Sequence, residues 1–231
     1  MARFRPSNAL IIVASALFIS PSVVSTQVIT DERLWTNLSV QERTGTESPW
    51  RWAGEFVLRT REGVDDLDVF VVRGIIGYDL SDRSSGWVGF AVIPSFPVLG
   101  GTVVEKRLFQ QYLWSGRGLG GTVTLRTRFE QRWTGGNTGL AWRVRQQVRF
   151  SRAFAPRSRF SWVGTEEIHF HANDTARYDR GFDQNRVFGG ISRTVKENVR
   201  FEIGYLNQYT HSVTGPNRMS HILSVGTTVT F

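Results

Sequence analysis

Val123-Thr-Leu-Arg-Thr-Arg-Phe-Glu-Gln-Arg-Trp133 alternates from end to end. In an extended chain successive side chains point to opposite faces. Val123, Leu125, Thr127, Phe129, Gln131 and Trp133 therefore share one face, and Thr124, Arg126, Arg128, Glu130 and Arg132 share the other. A helical period would mix the two sets, so the segment reads as a strand. The next segment repeats the pattern, with Leu140, Trp142, Val144, Gln146, Val148 and Phe150 against Ala141, Arg143, Arg145, Gln147, Arg149 and Ser151. Gly135, Gly136, Asn137 and Gly139 between them are turn residues.

Working outward, similar segments occupy 34–42, 50–60, 69–80, 87–93, 106–115, 160–171, 186–194, 199–209 and 221–231. Their length of about ten residues is that of a tilted, membrane-spanning strand. No segment has a helical period. A soluble β-sandwich also alternates. Here, however, one face is apolar and aromatic on nearly every strand, while arginines stack on the other. The pattern predicts an all-β, closed, antiparallel transmembrane β-barrel. Eleven segments are visible, and bacterial single-chain barrels have even strand numbers. Twelve strands are therefore expected, the twelfth a short one before Arg33, with ten as the fallback.

The chain has 231 residues, no cysteine and a formal net charge of +8. Disulfides and thiolate metal sites are excluded. Mean hydropathy is −0.22, although aromatic residues make up 13% of the chain. Arg3 and Arg5, the apolar run from Ala9 to Ile19, Pro21 and the small residues at Ser25 and Thr26 read as a secretory signal over 1–26, ahead of a barrel over 27–231. That run is too short to span a bilayer as a helix. The final alternating residues Val225, Thr227, Val229 and Phe231 read as a closing strand whose terminal aromatic is recognised by the barrel assembly machinery. With Phe231 in the periplasm, the loops at 61–67, 94–104, 134–139, 172–182 and 211–218 face outward.

Gly181-Phe-Asp-Gln-Asn-Arg-Val-Phe188, Phe201-Glu-Ile-Gly-Tyr-Leu-Asn-Gln208 and Arg218-Met-Ser-His-Ile-Leu-Ser224 resemble a bacterial family known as domain of unknown function 2490. Arg107-Leu-Phe-Gln-Gln111 and Arg128-Phe-Glu-Gln-Arg132 fit it as well. The resemblance covers nearly the whole chain after the leader. It implies an outer-membrane barrel and brings no assigned activity.

Three constellations could carry chemistry. Arg126, Arg128, Glu130, Arg132, Arg143, Arg145, Arg149, Glu167, Arg186 and Glu202 are expected to line the lumen. They would form either an ion-pair network that fills it or a small pore favouring anions. Glu167, His169 and His171 share one strand face and are a candidate divalent-metal set, against the plainer reading of a polar patch at the barrel mouth. A lipid hydrolase would need a serine and a histidine on the outer wall. His221 faces that wall by register, but no histidine has a serine two residues on. The expected role is non-enzymatic, structural or as a small pore in the bacterial outer membrane. The alternative is an outer-membrane enzyme acting on lipid or lipopolysaccharide. No cofactor is expected. Outer-membrane lipid and lipopolysaccharide are the expected surroundings, and nucleic acid is not an expected partner because the arginines alternate along strands and form no basic patch.

Deleting Phe231 should lower the amount of inserted protein far more than its synthesis, measured by comparing membrane-fraction and whole-cell levels. Equal membrane levels would contradict the assembly role.

Overall fold

The computed structural model describes residues 28–42, 48–61, 65–136, 139–213 and 215–231. The secretory signal expected over 1–26 lies outside the described residues. Eleven strands follow one another: β1 (Val28–Gln41), β2 (Trp50–Arg61), β3 (Asp66–Ser81), β4 (Ser84–Ser95), β5 (Val103–Gly118), β6 (Gly121–Thr134), β7 (Leu140–Ala153), β8 (Phe160–His171), β9 (Gly181–Lys196), β10 (Val199–Thr210) and β11 (Asn217–Thr230). There is no helix among the described residues. Each strand pairs with its sequence neighbours, and β1 pairs with β11 to close a barrel.

The eleven segments seen in the sequence are the eleven strands. The expected even count is corrected, because residues 28–32 belong to β1 itself and form no separate strand. An odd number of alternating strands leaves the first and last pointing the same way. The seam is accordingly parallel, from Val28 opposite Asn217 to Gln41 opposite Thr230. The other ten pairs are antiparallel. The all-antiparallel expectation is corrected at this one seam. The start of β1 therefore lies at the opposite end of the barrel from the end of β11. The five connections expected to face outward do share one end.

Turn chemistry fits the register. The β5–β6 hairpin turns on Leu119 and Gly120, both at positive φ (54° and 74°), the geometry that matches the right-handed twist of paired strands. A leucine is an uncommon residue there.

The outer face carries Trp52, Phe56, Leu58, Ile76, Val88, Phe90, Leu125, Phe129, Val148, Phe201 and Ile203, all exposed. Where polar side chains interrupt it they bond one another: Gln110 with Gln131, Thr127 with Gln146, and Asn185 with Glu166.

The inner face is not uniform. On the β2–β4 side it carries an apolar cluster in which Val57, Val71, Ala91 and Ile93 pack together. Glycines there make room for large rings. A Cβ on Gly89 would sit 2.2 Å from Phe109 Cζ, and one on Gly77 2.3 Å from the Trp87 ring. Phe109 is thereby buried under the wall, 1% exposed.

Gly89→Ala should destabilise the barrel by about 1–3 kcal/mol through overpacking against Phe109. Gly74→Ala, where nothing lies within 4 Å of the new Cβ, should be near neutral. Urea unfolding followed by tryptophan fluorescence checks the contrast, and equal effects would contradict the packing.

Candidate functional site

The lumen is organised around two carboxylates. Glu130 on β6 and Glu167 on β8 flank β7, whose Arg143 and Arg145 alternate inward between them. The register sets Glu130 opposite Arg143 and Arg145 opposite His169. Glu130 Oε2 accepts from Arg143 Nε at 2.9 Å and Nη2 at 2.6 Å, while its Oε1 accepts from Arg145 Nη1 at 2.8 Å. Glu167 Oε1 accepts from Arg145 Nη2 at 2.7 Å and from Arg126 Nη2 at 2.8 Å. Its Oε2 takes a further bond from Arg145 Nη2 at 2.8 Å. Glu130 is 1% exposed and Glu167 4%. Carboxylates so buried need this many charge-assisted bonds to offset their lost hydration.

Arg128 stands directly opposite Arg145. Two like charges in register repel; Arg128 lies 3.8 Å from Glu130 and makes its closer contacts with neutral partners. It donates to Gln111 Oε1 at 2.6 and 3.0 Å and stacks 4.2 Å over Phe109. Lower in the barrel Arg149 pairs with Glu202 and Arg73 with Glu55. Towards the loop end Glu105 binds Arg132 and Arg107, each at 2.6 Å. Asp183 binds Arg143 at 2.9 Å and lies 3.4 Å from His171 Nε2. Tyr178, from the β8–β9 loop, folds over this end. Its hydroxyl accepts from Arg132 at 2.8 Å and its ring stacks on His171 at 4.5 Å.

Eight of the ten sequence-identified lumen residues, Arg126, Arg128, Glu130, Arg132, Arg143, Arg145, Glu167 and Arg186, join one network through contacts of up to 3.9 Å, and Arg149 and Glu202 form a separate pair. Glu105, Asp183 and Tyr178 were not foreseen. Glu105 lies just outside the 106–115 segment. Asp183 sits at a register shift between β8 and β9 that breaks the alternation. Tyr178 lies in a loop, where period carries no information.

Among the described residues the interior holds cavities of about 370 Å³ at the mouth, about 340 Å³ below it and about 250 Å³ in the lower half. Trp35, Arg59, Arg73, Arg145 and Arg186 line both of the lower two.

Residues 32–220 match the family model described as a protein of unknown function, DUF2490. The chain belongs to the DUF2490 family. This DUF2490 chain is also similar to an uncharacterized protein of Methylorubrum extorquens, 29% identical over 220 residues that cover 94% of this chain and 95% of the other. No solved structure matches it.

In the DUF2490 barrel the candidate metal residues have other partners. His169 Nε2 lies 3.1 Å from Glu167 and its Nδ1 2.8 Å from the Gln184 amide, while His171 faces Asp183, Arg132 and Tyr178. Among the described residues no three His, Asp or Glu side chains converge as a metal site requires. On the outer wall His221 Nδ1 meets the Tyr205 hydroxyl at 2.5 Å, and Asn207 donates to that hydroxyl at 3.3 Å. Glu32 is the register partner of His221 and lines the same shallow groove, and no serine lines it.

Glu130→Gln should cost about 3–5 kcal/mol, because it leaves buried guanidiniums without their counter-charge. Glu202→Gln, at a pair exposed by 25–30%, should cost less than about 1 kcal/mol. Urea unfolding of the purified barrel measures both, and equal costs would contradict the central place of Glu130.

Proposed function

We propose that this DUF2490 protein is a non-enzymatic outer-membrane barrel with a structural role, delivered by a cleaved secretory signal over 1–26. Its lumen is filled by its own arginine–carboxylate network and is not an open pore. The observation that carries this reading is the buried ion-pair network in which Arg126, Arg143 and Arg145 reach Glu130 and Glu167 inside the barrel. Barrels of about eight strands are filled by side chains, whereas those of roughly 16–18 keep a water channel. Eleven strands enclose little enough space for long arginines to cross it.

The apolar outer face and the strand lengths of 12–16 residues suit a bilayer, which needs about 9–11 residues per tilted strand. A closed ladder satisfies every backbone group without water, as the hydrocarbon region demands. Arg180 in the β8–β9 loop and Arg218 at the start of β11 are exposed at the loop end, where they would meet lipopolysaccharide phosphates.

The second reading, an outer-membrane enzyme acting on lipid, draws on the Tyr205–His221 contact beside Glu32. It requires that His221→Ala change the lipid composition of the membrane. Unchanged lipid mass spectra would dispose of it.

The protein should fractionate with outer membranes, change its gel mobility on boiling, and give no steady conductance in planar bilayers. Soluble periplasmic recovery without a heat shift would contradict membrane placement. Steady anion-selective current would contradict the filled lumen.

A further inference from the structure

Most inward arginines have a carboxylate within bonding distance. Arg59 on β2 has none among the described residues. Its guanidinium lies 4.0 Å over the Trp35 ring, and its Nε is buried without a hydrogen-bond partner. Arg186 on β9 lies against the same ring, 5.1 Å from its centroid. Its Nε donates to a neutral amide oxygen, Gln208 Oε1, at 2.8 Å. With the Gln184 amide turned to satisfy its neighbours, Gln184 supplies a second neutral oxygen. The carboxylate nearest to Arg186 is Glu167 at 3.8 Å, already bound by Arg145 and Arg126. Trp35 Nε1 and Arg73 Nε are also buried and unpartnered.

Orphaned donors and an unneutralised guanidinium therefore gather at one level of the lumen. Buried donors are almost always satisfied, and a buried charge without a counter-charge is costly. Nine arginines and two aspartates line the chamber above this level; most of these arginines are paired with carboxylates, and Arg59 is not. Arg33, Tyr178, Asp183 and Gln208 line both that chamber and the mouth, so the two adjoin and lead to the loop end.

We propose that Trp35, Arg59 and Arg186 form a binding site for a small phosphate-class oxyanion, entered from the loop end of the barrel. Guanidinium is the side chain best suited to phosphate oxygens, and the indole N–H supplies a further fixed donor. A tetrahedral oxyanion can accept from several directions at once, as this arrangement offers. A chamber of about 340 Å³ admits inorganic phosphate or a small phosphomonoester and excludes a lipid with its acyl chains. The site depends on the closed barrel and not on membrane placement, so it can be tested on purified protein.

The test is isothermal titration of the purified, folded barrel in detergent at fixed ionic strength. The probes are inorganic phosphate and glycerol phosphate, with sodium chloride as control. Saturable one-to-one binding of phosphate is expected, with little response to chloride. Arg59→Gln should weaken it about tenfold or more, the loss expected for one charge-assisted bond. Arg193→Gln, at an arginine stacked on Phe160 of the outer wall, should leave it unchanged. Tighter binding of glycerol phosphate would assign the site to a phosphomonoester, and preference for phosphate to the free ion. A retained heat shift on gels confirms that each variant is folded. Should Arg59→Gln not fold, Trp35→Phe removes the indole donor while keeping an aromatic ring. Absence of saturation at millimolar phosphate, or equal affinity in the folded variants, would overturn the proposal. Loss of binding with the barrel still non-conducting would leave the filled-lumen reading standing, whereas conductance without saturable binding would refute both.

Discussion

Eleven strands that run alternately up and down bring the first and the last into the sheet pointing the same way. The wall can then close only through a parallel pair, and β1 and β11 make one along their whole length. Everything else depends on that closure. It gives every described strand a partner on both sides, with the start of β1, before Trp35, extending past β2. It also turns one face of every strand into an enclosed interior. Side chains that would be ordinary surface residues on an open sheet must there find partners.

The interior meets this demand differently on its two sides. Across β2–β4 it packs Val57, Val71, Ala91 and Ile93, with glycines admitting Phe109 and Trp87. Across β6–β9 it is ionic, with Arg143 and Arg145 held between Glu130 and Glu167. Such a network contributes geometry more than net stability, because desolvation offsets much of the Coulomb gain. Its effect is to fix long side chains across the lumen. Tyr178 extends it to the mouth through Arg132 and His171.

Much of this was legible in the sequence where one face was charged and the other apolar. In β6, β7 and β8 the inward set could be named residue by residue, down to Glu130 and Glu167 as counter-charges. Legibility fell where that contrast disappeared. Around Val69–Val72 and Ala91–Ile93 both faces are apolar, so alternation does not say which points inward. At Asp183 a register shift moves a carboxylate into the lumen, and the shift arises from pairing with β8 that no local pattern reports. In β1 the polar residues Thr30, Asp31, Glu32 and Arg33 hid the continuity of the strand, although Asp31 and Arg33 pair with each other inside the wall. The parity of the barrel was unreadable because it is decided by contacts between residues about 190 positions apart, as in the pairing of Val28 with Asn217.

Leu34 and Leu223 are register partners across the seam, and the chain contains no native cysteine. Directly paired residues lie within the Cα separation of about 4.4–6.8 Å that a disulfide spans. The folded barrel carrying Leu34→Cys and Leu223→Cys should cross-link intramolecularly on mild oxidation, whereas Leu34→Cys with Thr227→Cys, four residues out of register, should not. Failure of the first pair, or cross-linking of the second in its place, would contradict the eleven-stranded closure.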